Sequence, residues 1–392
     1  MAILWCVLIA ALLARAVLQF RAYEAIPAVS GVKSAVAPEL SVVVPARNES
    51  ANIAACLAGL LNQEYPSDRL SIVVVDDNSS DDTAAIVQTI AGSQSCLQLL
   101  QAGPLPDGWT GKSFACWQGF QATGSLWLAF IDADTSASPM LLSAAVSFAE
   151  AKNIDMLSLH PFQELKTFWE RVIIPAGLFA VAFTCDLKAV NDPSKPDAAA
   201  NGQCILIRRQ VYELIGGHAA VRRQIAEDTA LARLVKQAGY RIYMAGAAEL
   251  IKVRMYTGLQ TLWEGLSKNA VDVVKNIRTA ILLSFGVPIL GWTSVLLPLY
   301  VLLMETAELT RADLLAVTSL GFAALGSAAL FATHMAESRY FKIPLRYGLL
   351  FPLGLTMIGA ITINSILSRW RRNIVWKSRL YPESCIRIDK RV

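Results

Sequence analysis

Two aspartates two positions apart, Asp132 and Asp134, directly follow the apolar run 126–131 (LWLAFI). In an extended chain the side chains at i and i+2 lie on one side, so the pair presents two carboxylates to one ligand. A divalent cation suits them: Mg2+ or Mn2+ is held by one or two carboxylates, with substrate phosphates completing the octahedron. Asp-x-Asp alone is a common turn. It gains weight from the strand before it and from an earlier acidic strand end, Asp76-Asp77, which follows 72–75 (IVVV). Within 76–83 (DDNSSDDT), a turn and a helix N-cap account for Asp81 to Thr83. They do not account for Asp76 and Asp77, whose adjacent carboxylates repel. A ribose or a base N–H is a suitable partner for one of them.

Glu227-Asp228 opens a helical pattern, 228–239 (DTALARLVKQAG). Asp228 is either a first-turn acid favoured by the helix dipole or a general base that takes the proton from an acceptor hydroxyl as its oxygen attacks. Gly111-Lys112-Ser113 ends like a P-loop, but the motif requires glycine where Pro106 stands. Lys112 is therefore either a ligand for a phosphate or base, or a solvated lysine. The three histidines, His160, His218 and His334, fall in no ligand pattern, and His218 reads as a turn residue. No Gly-x-Ser-x-Gly or Cys/His dyad supports hydrolase chemistry.

The elements that must hold these groups alternate. A β-branched run at 40–45 is closed by Pro45, a helical pattern covers 49–62, a strand covers 72–75, a second helical pattern covers 83–91, and a strand covers 126–131. This alternation predicts an α/β fold with a mainly parallel sheet, in which ligands bind at the carboxyl ends of strands. The acidic clusters stand at two such ends. The apolar stretch 172–185 is too short to span a bilayer and reads as a core or interfacial helix. The amphipathic stretch 259–281 reads as an interfacial helix.

The chain has 392 residues, 54% hydrophobic and 17% charged, which suits a domain combined with membrane segments. Apolar runs lie at 3–20, 282–304, 314–333 and 347–367. The last three meet the ~20 residues a bilayer core requires and carry no charge; the first carries Arg15, which snorkels to an interface. That first run lacks a basic n-region and a small-x-small cleavage site, so an uncleaved anchor is expected. Net charge is +4, too small to point to nucleic acid, and its excess lies in 369–392, expected to sit beside anionic lipid. Seven cysteines without CxxC pairs or regular spacing form neither a zinc nor a disulfide framework and suit the reducing cytosol.

Taken in order, 42–49 (VVVPARNE), 75–79 (VDDNS), Gly111-Lys112, Asp132-Ala133-Asp134 and Glu227-Asp228 resemble the family 2 glycosyltransferases, nucleotide-sugar-dependent inverting enzymes of the GT-A fold. Within that family, 104–112 (PLPDGWTGK), 190–193 (VNDP) and 263–265 (WEG) look like the hopanoid-associated and carotenoid glycosyltransferase subgroup. The resemblance implies a Rossmann-like nucleotide-diphospho-sugar transferase domain over 38–255. It would be preceded by a membrane anchor and linker (1–37) and followed by an interfacial helix (256–281), transmembrane helices (282–368) and a basic tail (369–392). It further implies that Pro45, Arg47, Glu49, Asp76 and Asp77 line the nucleotide pocket, with Lys112 and Asp132 also on the donor. Asp132 would lie on the ribose or metal side, and Asp134 would ligate Mg2+ or Mn2+. Asp228 would be the base, and Glu227 would help hold the acceptor. Processive members carry Gln-x-x-Arg-Trp after the base; here 260–264 reads QTLWE, without arginine, which favours a single transfer.

The expected partners are therefore a UDP- or GDP-sugar, a lipid acceptor such as a hopanoid or carotenoid, and the cell membrane, which the chain crosses several times with its catalytic domain facing the cytoplasm. A polysaccharide synthase and a non-catalytic membrane scaffold with a relic transferase domain are the competing readings. Topology holds a conflict: a cytosolic domain and four spans place both termini outside, whereas the basic tail predicts an inside C-terminus.

Overall fold

The computed structural model describes residues 7, 10–11, 28–29, 37–182, 187–274, 277–307, 314–377 and 379–381. Most of the apolar run 3–20, and the tail beyond residue 381, lie outside them. The chain divides into two units: one built from Ala25–Glu164, Asp186–Met255 and Arg372–Val392, the other from Met1–Glu24, Leu165–Cys185 and Tyr256–Arg371. The expected domain 38–255 is thus interrupted by a helical excursion, and the described residues after Arg371 return to it.

In chain order the first unit carries β1 (Leu40–Ala46), α1 (Ile53–Leu61), β2 (Leu70–Asp76), α2 (Thr83–Ala91), β3 (Leu97–Gln101), α3 (Gly111–Gln121), β4 (Trp127–Ile131), β5 (Thr135–Ala137), α4 (Leu141–Ala151), β6 (Met156–His160) and β7 (Phe162–Gln163). Helix α5 (Phe168–Ala182) belongs to the second unit. The chain then resumes the first with α6 (Leu187–Asn191), β8 (Cys204–Arg208), α7 (Arg209–Leu214), α8 (Gly217–Ala220), α9 (Glu227–Gln237), β9 (Ile242–Gly246) and β10 (Ile251–Val253). Helices α10 (Leu259–Val273), α11 (Ile277–Ala307), α12 (Leu314–Tyr340) and α13 (Phe351–Trp370) follow in the second, and the short strands β11 (Val375–Trp376) and β12 (Arg379–Leu380) close the first.

The main sheet has the order β3-β2-β1-β4-β8-β6-β9. Only β8 runs against its neighbours β4 and β6, so the sheet is mainly parallel, as the alternation predicts. Continuous apolar runs mark strands covered on both faces, and Val42, Val43, Val44, Val74 and Val75 are fully buried. Strand β1 runs one residue past Pro45, because its ladder to β4 ends at Val43 and the missing N–H is not needed on that side. Helix α3 lies close on β1 and β2: a Cβ at Gly119 would overlap the side chains of Val43 and Val75. This close approach aims the N-terminus of α3, with Gly111 and Lys112, at the ends of those strands. A small sheet, β5-β10-β7, starts just after Asp134.

In the second unit α5 packs on α13, with the Val172 carbonyl against Gly354 and Gly177 facing Ile358. Ala176 and Phe179 join Val287, Leu330, Phe351 and Leu355 in one apolar cluster, so the described part of the 172–185 stretch, up to Ala182, contributes a core helix of this unit. Two helices among the described residues, Ile277–Tyr300 and Leu345–Trp370, are long and apolar enough to cross a membrane; the run 314–333 lies within α12. The polar face expected to make α10 interfacial is partly used inside the unit: Ser267 Oγ accepts from Asn364 Nδ2 at 3.0 Å and Asp272 pairs with Arg369.

Candidate active site

Strand β2 ends at Asp76, and Asp77 follows; both carboxylates are buried. Asp76 Oδ2 accepts from Gln101 Nε2 at 2.8 Å and from the backbone N–H of Ser79 at 3.2 Å. Its Oδ1, like Asp77 Oδ1, is enclosed without a hydrogen-bond partner. Neighbouring β1 delivers Arg47, whose Nη1 donates to the carbonyls of Asp77 (2.6 Å) and Asn78 (2.9 Å). Asn78 adopts φ +53°, which turns the chain away from the strand. Pro45 lies in β1, paired in register with Val75. Asp81 serves the turn as expected: its Oδ1 accepts from the Thr83 N–H at 3.1 Å, and its Oδ2 from the Ser50 N–H at 3.0 Å.

Helix α3 ties this acidic end to the second one. Thr110 caps it, accepting from the Ser113 N–H. Gly111 then lies so close to Asp77 that a Cβ would overlap Asp77 Oδ2. The next residue, Lys112, reaches the other way: its Nζ is 2.7 Å from Asp132 Oδ1 and 3.0 Å from Glu227 Oε1. Lys112 is therefore no solvated lysine. Burial works against its charge, but the Asp132 and Glu227 carboxylates outweigh this and hold it well above the usual lysine range.

Asp132 and Asp134 follow β4, and the first of them is anchored by its backbone, with its N–H donating to the Gln203 carbonyl (3.1 Å) and its own carbonyl accepting from Thr135 Oγ1 (2.8 Å). Lys112 engages one oxygen of Asp132. Asp134 is different. Its Oδ1 is enclosed and has no hydrogen-bond partner. Burial, then the Asp132 and Glu49 charges, raise its carboxyl to about 7 against Lys377 and Lys112. An unpartnered buried carboxylate oxygen is a fitting ligand for a divalent cation, and Asp134 fits better than Asp132. Among the described residues no cluster of three or more His, Cys, Asp or Glu is arranged to hold a metal, so the remaining ligands would be substrate phosphates and water.

Glu227 and Asp228 stand in the first turn of α9. Asp228 Oδ1 accepts from the Thr229 N–H (2.7 Å), the local helix-start interaction. Its Oδ2 accepts from the Gly202 N–H (2.8 Å), a long-range contact that a capping role does not require. Burial and the adjacent Glu227 raise its carboxyl to about 6, with Lys112 and the two N–H donors opposing. A Cβ at Gly202 would stand 3.0 Å from Asp228 Oδ2 and 3.1 Å from Lys112 Nζ, so Gly202 is the floor between them. His218 is not a turn residue. It is buried in α8, its Nδ1 2.8 Å from Tyr212 Oη, and burial lowers its pKa to about 4. It packs edge-on to Phe130 of β4, behind the site.

Gly202 and Gln203 were not legible as site residues, since a lone 201–203 (NGQ) carries no motif. Nor was the C-terminal contribution. The basic tail was expected on anionic lipid, yet Lys377 pairs with Glu49 and Arg379 with Asp77.

Residues 41–226 match the profile described as Glycosyl transferase family 2. The chain is 28% identical over 255 residues to the 4,4'-diaponeurosporenoate glycosyltransferase of Staphylococcus aureus (strain USA300), a match covering 62% of this chain and 65% of that relative. The protein of the same name from strain MRSA252 is 27% identical over 234 residues, covering 59% of this chain and 60% of the relative. The chain thus spans less than two thirds of the length of the curated relatives it matches. In fold it is similar to a mannosyltransferase from Pyrobaculum calidifontis in complex with GDP-Man and Mn2+, with TM-score 0.53 and 19% identity over 94% of this chain and 98% of that one. With its mainly parallel sheet and its acidic groups at the strand ends, the chain has a GT-A-like fold and carries, over residues 41–226, a domain that matches the family 2 glycosyltransferases.

Proposed function

We propose that this glycosyltransferase moves a single sugar from a UDP- or GDP-sugar to a hydroxyl of a membrane lipid such as a hopanoid or carotenoid, with inversion at the anomeric carbon. The observation that carries the reading is the position of Asp228. Its carboxylate is fixed by two N–H donors, raised to about 6, and set across Gly202 from the Lys112–Asp132 pair. A base ionised at neutral pH yet retaining affinity for a proton suits the task. Asp228 would accept the acceptor's hydroxyl proton as that oxygen bonds to the anomeric carbon, while the bond from that carbon to the diphosphate oxygen breaks. Lys112 would hold Glu227 and Asp132 in place and place a positive charge near the leaving group. Pro45, Arg47, Glu49, Asp76 and Asp77 would line the nucleoside pocket, where the enclosed Asp76 Oδ1 and Asp77 Oδ1 await donors. Mg2+ or Mn2+, held by Asp134 and on the side of Asp132, would supply charge neutralisation for the departing diphosphate.

The lipid acceptor rests on the name of the staphylococcal relatives and on the two apolar helices. A donor made in the cytosol places the catalytic unit on the cytoplasmic side. The pairing of Lys377 with Glu49 and of Arg379 with Asp77 supports a topology in which the segment 372–381 would share the side of the catalytic unit, so that the chain between residues 255 and 372 would cross an even number of times. Two crossings reconcile the basic tail with a cytosolic domain. The test is a lipid extract from cells with and without the gene, searched for a mass increment of one hexose, together with nucleoside diphosphate release by the purified protein with and without EDTA. A product of many sugars, or full activity of Asp134→Ala in EDTA, would overturn the reading.

A further inference from the structure

The last described residues do not lie idle on the catalytic unit. Strands β11 and β12 form a hairpin, closed by the Tyr381 N–H donating to the Ile374 carbonyl at 2.9 Å. Ile374 is buried against Ile225, with Tyr381 packed beside them. At the turn, Lys377 adopts φ +47°, a conformation a residue with a Cβ keeps only when its surroundings hold it. Here they do: the Lys377 carbonyl accepts from Arg47 Nε at 3.2 Å, and its ammonium pairs with Glu49. Arg379 Nη1 donates to Asp77 Oδ2, while its Nη2 is 3.4 Å from the Asp77 carbonyl. The guanidinium also lies against Gly111, where any side chain would overlap it.

We propose that this hairpin, 374–381, is a wall of the donor site, and that Arg379 is a positioning residue which fixes Asp77 by Oδ2 and leaves the enclosed Oδ1 to accept an N–H from the nucleobase. The inference rests on the reading of Asp77 as a nucleoside ligand. Three features separate a wall from a chance contact. The hairpin is seated by its own buried side chain. Its two cations meet two acids of the proposed pocket, Glu49 and Asp77. And the pairing engages Asp77 through Oδ2, while Oδ1 has no hydrogen-bond partner. Glu49 is held at both oxygens, one by Lys377 and the other by Asn52 Nδ2 at 2.9 Å.

The test is titration of the full-length protein with UDP and, separately, GDP in the presence of Mn2+, followed by donor kinetics. Arg379→Gln is expected to weaken binding of the preferred nucleotide about tenfold, the loss of one charge-assisted hydrogen bond. It should raise KM for the donor similarly and leave kcat within about twofold. Arg379→Lys should recover part of the loss. Ile374→Ala, which loosens the hairpin without altering charge, should weaken binding in the same direction, and Arg371→Gln, an exposed charge loss on the preceding helix end, should change nothing. Tighter binding in Arg379→Gln would overturn the proposal and make the hairpin a competitor for the pocket; unchanged binding would overturn it as well. If the parent binds neither nucleotide, the reading of the site itself fails, and this inference with it. If Asp77→Asn loses binding while Arg379→Gln does not, only the inference fails.

Discussion

Replacing Asp228 with asparagine isolates the proton transfer from the fold. The side chain keeps its shape and one carbonyl oxygen, so it can still accept from either the Gly202 N–H or the Thr229 N–H, now 2.8 and 2.7 Å from its oxygens. One of those two hydrogen bonds is lost, at about 1 kcal/mol, too little to unfold a domain of this size. The chemical loss is larger. A positioned general base contributes about 10²–10⁴ in rate, or roughly 3–5 kcal/mol of barrier. In the parent the carboxyl sits near 6, raised by burial and Glu227, and must be ionised to act. The rate is therefore expected to fall on the acid side through about pH 6, reaching about a tenth of its plateau one unit lower. The same shift has a consequence for stability. The folded chain binds this proton more tightly than the unfolded chain, whose aspartate titrates near ~4, so stability is lost as pH rises from there to about 6. Asp228→Asn should abolish both the acid limb and this stability term. The assay is nucleoside diphosphate release from the donor across pH 4.5–8, with denaturation followed over the same range. An Asp228→Asn variant that keeps the parental rate with the acid limb intact would refute the assignment.

Two further outcomes follow from the same geometry. Lys112→Met removes the cation that lowers the Asp228 carboxyl and pairs Asp132 and Glu227; the acid limb of the rate profile should move above about pH 6, and binding of nucleoside diphosphate should weaken. Gly119→Ala places a methyl on Val43 and Val75 beneath α3; overpacking of this kind costs about 1–3 kcal/mol, read as a lowered melting temperature, with activity per folded molecule reduced as Lys112 is displaced.

Much of the catalytic unit was legible because it is local. The buried runs at β1 and β2 announce themselves by β-branched residues without alternation, that at β4 by an unbroken apolar run, and α2 begins at Thr83 where the capping residues end. The acids that matter stand at the ends of those strands, so their position in the fold could be read from position in the chain. The strands β6, β8 and β9 were not read, because short apolar runs of this kind carry no period that separates strand from helix. His218 was misplaced for a related reason. Its glycines suggest a turn, but a short helix and the Tyr212 hydroxyl put it in the core.

The sequence by itself determined the α/β alternation, the acidic strand ends and the apolar helices, since each depends on neighbours a few residues apart. Only the tertiary structure decided which charges meet. Lys112, equally readable as a ligand or a solvated side chain, lies between Asp132 and Glu227 because α3 packs through Gly119 on Val43 and Val75. The division between the two strand-end aspartates, one paired and one left with an enclosed oxygen, follows from that contact. Arg379 reaches Asp77 from 302 positions away. Composition gave that arginine the role of a surface charge, and no local pattern encodes a pairing made by chain return, because its partner is chosen by where the sheet and the hairpin come together.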